Sequence, residues 1–227
     1  MKVKLINKTQ NLLDVLYTGA TTCYNAGSPI DKWFDVCTIP IDKKQKLIDK
    51  CIKSGHTSVL EHSQFTFAIE GISKASSVQL LRHRHCSFSQ QSQRYCRFEE
   101  DGLKYVIPAK IKNNPEALKI FEETISNISK SYLDLLDLGV PAEDSRAVLP
   151  NASETNLVVT MNLREFIHIC SLRLCGCSQL EIRQLIKEMK NEVIKEFPWL
   201  EEYLQPKCIS MGKCNEQKSC GYYDSFK

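Results

Sequence analysis

RHRHCSFSQQSQRY, Arg82 to Tyr95, gathers three arginines, two histidines and three serines in fourteen residues, with almost nothing a hydrophobic core could use. The arginine fork of N–H donors never deprotonates, so several arginines within reach of one another repel unless an anion sits among them. Arg82, Arg84 and Arg94 therefore point to a ligand carrying phosphate or carboxylate groups. Around them Ser87, Ser89, Gln90, Gln91, Ser92 and Gln93 supply neutral donors and acceptors, the groups that read a base edge or a sugar hydroxyl, which favours a nucleotide over inorganic phosphate. The plainer reading, a solvated loop, fits poorly with the near absence of Lys, Asp and Glu. The cluster itself reads as a loop.

The flanking segments set the fold. Just upstream, SKASSVQLL places Ala75, Val78 and Leu81 three apart, a helix that delivers the chain into Arg82. Before it, in HSQFTFAIEG, Phe65, Phe67 and Ile69 alternate with Gln64, Thr66, Ala68 and Glu70, the period of a half-buried strand. VKLIN near the start reads as a short strand, and KKQKLIDKCIKSG as an amphipathic helix ending at Gly55. Downstream, KYVIPAKI reads as a strand pushed to an edge by Pro108. Asn114-Pro115 opens a long helix with Leu118, Phe121, Ile125, Ile128, Tyr132 and Leu135 on one face up to Gly139. PAEDSRAVLP reads as one helical turn, TNLVVTM as a strand, and NLREFIHICSLRLC as a helix with Leu163, Phe166, Ile167, Cys170 and Leu174 inward. Ser178 and Glu181 fit a capping box at the head of a last helix facing inward through Ile182, Leu185, Ile186, Met189, Val193 and Phe197. Helices and strands interleave without regular βαβ spacing, so the expected class is α+β, one domain over residues 1–227 with an irregular, cysteine-containing tail from about 206.

Composition excludes several function classes. With Lys+Arg 30 against Asp+Glu 27, the net charge of +3 gives no global field to draw in nucleic acid or anionic lipid, and no run approaches a membrane span. Eleven cysteines, an odd number in a chain of 227 residues whose start, MKVKLINKTQ, lacks an apolar signal segment, read as free thiols in a reducing cytoplasm. Ser92 near His83 or His85 lacks a Gly-x-Ser-x-Gly elbow and an Asp to orient the histidine, which argues against a serine hydrolase. Cys208, Cys214 and Cys220 are evenly spaced and Cys175 lies near Cys177, but structural zinc sites show tighter pairs, so no metal site is assigned. On residues alone, a module that grips RNA or a nucleotide without chemistry stays open beside an enzyme.

Arg82-His83-Arg84, seven residues, then Ser92 resembles the RHR-x7-S signature of the flavin-dependent thymidylate synthases, and Gln93-Arg94-Tyr95 continues it. HTSVLEH (56–62), GVPAEDSRAVLP (139–150) and NLREFIHICSLR (162–173) resemble further segments of that family in the same order, so the likeness runs to about Trp199. The resemblance implies an α+β protomer with a central, mostly antiparallel sheet flanked by helices, in a homotetramer whose sites lie where subunits meet. It implies a cytoplasmic methyltransferase that makes dTMP from dUMP, with 5,10-methylenetetrahydrofolate as carbon donor, FAD as redox carrier and NADPH as reductant, and no nucleic-acid or membrane partner.

Residue by residue, the resemblance assigns Ser58, Arg82, His83, Arg84, Gln90, Asn162, Arg164 and His168 to FAD. It assigns Gln79, Arg82, Gln90, Gln91, Ser92, Gln93, Arg94, Arg146 and Arg173 to dUMP. In the family the arginine matching Arg173 stabilises negative charge developing at N3 of the uracil, which makes Arg173 the catalytic residue of this set; a permanent cation suits that role and not proton transfer. Glu61 and His56 match positions near the flavin and the active site, while His62 reads as structural. Many members carry Asn-Glu where this chain has Ser89-Gln90, so an acid–base role at that position is lost and only hydrogen bonding remains.

Overall fold

The computed structural model describes residues 1–98 and 102–226; Lys227, the end of the expected tail, lies outside them. In chain order the elements are β1 (Lys2–Lys8), α1 (Leu12–Tyr24), α2 (Pro29–Asp35), α3 (Ile41–Lys53), β2 (Phe65–Ser73), α4 (Lys74–Leu80), β3 (Cys86–Gln90), α5 (Ala109–Lys112), α6 (Pro115–Asp137), α7 (Ala142–Ser145), β4 (Glu154–Met161), α8 (Leu163–Arg173), α9 (Leu180–Glu196) and α10 (Lys207–Ser210). The strands form one antiparallel sheet of order β1-β2-β4-β3 with helices packed against it, the α+β architecture expected.

The alternation in β2 carries the core. Leu5, Phe67, Val159 and Phe88 stand in one cross-strand row, and Phe65, Met161 and Cys86 in the next. Phe166 of α8 closes on this face with its ring 5.6 Å from Phe67 and 6.2 Å from Phe65. Ile182, Leu185, Ile186, Met189 and Val193 of α9 are wholly buried beside it, each such side chain contributing about 2 kcal/mol through removal from water. Phe197, expected on the same stripe, is only partly buried.

A bulge in β2 turns this sheet into a platform for the polar cluster. Between Ile69 and Ile72 the strand carries one residue more than its partner, and Gly71 there holds φ 72°, with the Met1 backbone nitrogen 3.1 Å from where a Cβ would sit. The strand then runs directly into α4, whose N-cap Ser73 accepts from Ser76 N at 3.0 Å.

Three local expectations need correction, and helices α1 and α2 lie where the sequence reading placed none. The capping box of Ser178 and Glu181 does not form: the Ser178 hydroxyl donates to the Leu172 carbonyl at 2.9 Å, and the Glu181 carboxylate accepts instead from the backbone and hydroxyl of Ser73 at 2.7 and 2.6 Å. KYVIPAKI is not a strand. Tyr105 makes a single bridge to Ser153, and Pro108, which cannot donate to a ladder, caps α5. The polar cluster is a loop only at its two ends, since Cys86–Gln90 forms the edge strand β3. Helices α1 and α2 carried no clear sequence signal, although Leu12, Leu16 and Ala20 of α1 are buried at four-residue spacing. By contrast α6 starts as read, with Asn114 Oδ1 accepting from Glu116 and Ala117 N at 3.1 and 3.2 Å. Among the described residues no helix is long and apolar enough to cross a membrane.

Candidate active site

The turn between α4 and β3 presents Arg82 to His85, and the first two turns of α8 lie across from it. Between them opens a cleft of about 590 Å³ lined by Arg82, His83, Arg84, His85, Asn162, Arg164, Glu165 and His168, with Glu61 at its edge. Six of the eight residues assigned to the flavin thus meet in one cavity, although about 80 residues separate the two segments that supply them.

Each wall has a local cause. Asn162 caps α8 by accepting from Glu165 N at 2.8 Å, leaving its amide N–H groups for the cleft. Arg164 and His168, four residues apart, share the exposed face of that helix. Arg164 pairs with Glu61, which sits on the 3-10 turn Thr57–His62. Ser58 is on the same turn but does not line the cleft. His62 packs its ring against Gly19, where an added Cβ would meet it at 3.0 Å, in keeping with a structural role. His56 lies with Tyr24, ring centroids 6.3 Å apart, beside a different cleft.

His83 is the hinge of the site. It is 5% exposed; its Nε2 accepts from Arg173 Nε at 3.0 Å, its Nδ1 lies 3.4 Å from Glu165 Oε1, and its ring stands edge-on to His168 at 6.0 Å. Burial, with the Arg173 charge and then His168 behind it, pushes the imidazole down to about 4. His83 is therefore neutral at pH 7, with the Nδ1 proton facing Glu165 and the Nε2 lone pair facing Arg173. Arg173 also donates through Nη2 to the Gln79 carbonyl at 3.3 Å. Two of its five donors fix it inside the chain, and the rest remain for a ligand.

The residues assigned to the nucleotide stand elsewhere on the same scaffold. Gln79 donates to Gln179. On β3, Ser87 and Ser89 face out while Gln90 turns inward and donates to Ser77 Oγ at 2.9 Å and Thr155 Oγ1 at 3.2 Å. Gln91 accepts from Asn156 at 3.1 Å, and Ser92 Oγ accepts from Arg94 N at 3.1 Å, closing a turn that also includes Gln93. Arg94 pairs with the Glu143 carboxylate and Arg146 donates to the Glu143 carbonyl at 2.9 Å, so one acidic residue holds two arginines from different segments. Apart from Arg82, none of the nucleotide residues lines the 590 Å³ cleft. Within one chain the two groups are joined through His83, Arg173 and α4.

Sequence reasoning missed Glu143, Glu165 and Lys74. Glu143 precedes Arg146 by one helical turn, a spacing that could have signalled the pair. Burial first, then the nearby Arg146 charge, hold the Lys74 ammonium below its ordinary range, which adds a cation to that neighbourhood. Burial, with Glu165 behind it, pushes the Cys86 thiol up to about 12. The thiol nearest the cleft is therefore protonated at neutral pH and a poor nucleophile.

A family model described as thymidylate synthase complementing protein matches residues 4–199. Among curated relatives, the chain is 42% identical over 222 residues to the flavin-dependent thymidylate synthase of Geobacter sulfurreducens, covering 97% of this chain and 94% of that one. It is 37% identical over 234 residues to the protein of the same name in Nitratidesulfovibrio vulgaris, covering 98% and 95%. To that of Pyrococcus abyssi it is 36% identical over 228 residues, covering 96% and 91%. Among solved structures, a UMP/dUMP methylase of Streptomyces cacaoi, crystallised with 5-Br dUMP, superposes with a TM-score of 0.71 over 89% of this chain and 93% of that one; at 22% identity the likeness speaks to the fold alone.

Proposed function

The chain belongs to the flavin-dependent thymidylate synthase family, and on that premise we propose that it methylates dUMP reductively to dTMP, with methylenetetrahydrofolate as carbon donor, FAD as redox carrier and NADPH as reductant. The observation that carries this reading is the cleft. Residues assigned to the flavin from two distant segments, Arg82, His83, Arg84, Asn162, Arg164 and His168, line one cavity of about 590 Å³ in which, among the described residues, three arginines face two acids, Glu61 and Glu165. Such a surplus of forked cations suits the diphosphate of a dinucleotide. Bound there, FAD would pass reducing equivalents from NADPH toward the carbon being transferred.

The chain's own groups do the rest by position and charge. Arg82, Arg84 and Arg164 would hold the anionic part of the flavin, and Asn162 and His168 would offer neutral donors. Arg173, aimed by His83 Nε2 and the Gln79 carbonyl, would place a permanent cation against N3 of the uracil and favour electron density at C5. Arg94 and Arg146, brought together by Glu143, would bind the nucleotide phosphate, with Ser92 holding the turn rather than attacking. Gln90 and Ser58 would need to reorient, or to meet the ligand from a neighbouring subunit, to fill the roles assigned to them.

That neighbour is part of the proposal: a homotetramer with sites shared between chains. In support, apart from Arg82, none of the residues assigned to the nucleotide lines the flavin cleft of the single chain. Ile120 of α6 and Leu138 just past its end, 66% and 80% exposed, and Phe34 of α2, 72% exposed, also leave apolar surface that water penalises. The eleven free thiols fit a reducing cytoplasm.

The test is an absorption spectrum of the purified chain with added FAD, followed by dUMP titration and a chromatographic assay for dTMP. The reading expects a bound flavin band that shifts with dUMP and dTMP formation that needs all three partners. No flavin binding at any concentration would overturn it.

A further inference from the structure

Beyond this activity, five of the eleven cysteines gather where the α8–α9 loop meets the C-terminal tail. Cys175, Cys208, Cys214 and Cys220 line a single small pocket of about 180 Å³. Cys177 turns outward from the same loop, its thiol reaching the Lys218 carbonyl at 3.7 Å. The tail is seated tightly, since a Cβ on Gly176 would lie 2.6 Å from Cys220 Sγ. The loop is fixed in turn by Arg183, which donates to the Gly176 carbonyl at 2.9 Å. Residues 200–227 lie outside the segment matched by the family model, and the roles proposed for flavin and nucleotide use none of these thiols.

Thiols give little as hydrogen-bonding groups, and a sulfur cluster at the surface packs no better than alanine would. What it does offer is a set of soft donors. A divalent cation takes such thiols as thiolates.

We propose that Cys175, Cys208, Cys214 and Cys220 form a binding site for a thiophilic divalent cation, zinc in the first instance. Four sulfur donors match the tetrahedral preference of that ion. In the present conformation no three His, Cys, Asp or Glu side chains among the described residues already converge on one ion position. Binding therefore requires the four sulfurs to draw closer together than they stand here. Each ligating thiol releases its proton to solvent, so binding weakens as pH falls.

The experiment uses the full-length chain, fully reduced, with zinc and then cobalt(II) as probes. Expected are about one zinc per chain retained through gel filtration, and for cobalt a sulfur-to-metal charge-transfer band with tetrahedral d–d bands. Cys208→Ser and Cys220→Ser should each weaken binding about tenfold or more while flavin binding stays unchanged. Should either variant fail to fold, alkylation of the wild-type chain followed by mass spectrometry gives the same information, because zinc should protect Cys208 and Cys220 but not Cys23 or Cys37. Absence of retained metal and of the charge-transfer band, or equal alkylation with and without zinc, would overturn the site. None of these readouts depends on the synthase activity.

Discussion

Two clefts of equal size, each about 590 Å³, open on this molecule. One lies between α1 and α3, walled by Tyr17, Leu47, Cys51 and His56, with Lys43 and Lys50 at its rim. The other carries Arg82, Arg84 and Arg164 on walls anchored by a buried histidine, a helix cap and an ion pair. Volume does not separate them. The difference is that the first cleft offers lysines on flexible stems that can swing into water, whereas the second brings the planar forks of Arg82 and Arg84 beside that of Arg164, held by its pair with Glu61. That concentration of forked cations is why the second cleft is the one proposed for the flavin.

The largest effect should come from Arg173→Ala, which removes the cation aimed at the uracil: dTMP formation should fall about 100- to 1000-fold with the flavin spectrum retained, and Arg173→Lys should restore little of it. Next, Arg84→Ala should weaken FAD binding about tenfold or more in a fluorescence titration. The paired change Lys43→Ala and Lys50→Ala should leave it unaltered, and an equal loss from both would erase the distinction between the clefts. Acid sensitivity follows from His83. Above pH 6.5 it is neutral folded and unfolded alike; as pH drops from 6.5 to about 4 the unfolded chain takes up a proton that the folded chain refuses, and below that the effect levels off. Urea melts should show wild type losing up to about 3 kcal/mol over this window relative to His83→Gln. The smallest effect is assigned to Cys86→Ala, whose turnover should change little; complete loss of methyl transfer with folding and flavin retained would contradict a mechanism without a thiol nucleophile.

What could be read from sequence divides along physical lines. The strand β2, the strand β4 and the long helix α6 were legible because burial imposes a period on them, and Asn114-Pro115 marks a start by chemistry that acts within four residues. β3 was not, although Cys86, Phe88 and Gln90 do alternate with Ser87 and Ser89. Its inward row includes an amide rather than a hydrocarbon, and that amide is satisfied by Ser77 and Thr155, 13 and 65 residues away. Glu181 shows the same limit: its spacing to Ser178 suited a local cap, but a strand end 108 residues distant holds it instead. In the site, the segment at 82–94 announced itself by residue type, whereas the roles proposed within 162–173 came from the family resemblance. Glu143 and Glu165 did not, because an acid beside an arginine is ordinary on any surface and acquires meaning only when the fold brings a distant partner to it, Arg94 to the one and His83 to the other.

The contact of His83 with Arg173 joins the two halves of the site into one thermodynamic unit. A ligand that draws Arg173 toward itself alters the partner of the His83 lone pair, and a ligand that presses on His83 from the cleft alters the aim of Arg173. Binding at either side then changes affinity at the other by the same factor, as any such linkage requires. With flavin and nucleotide bound as proposed, a single neutral imidazole would make the two answer to each other through 3.0 Å of hydrogen bond.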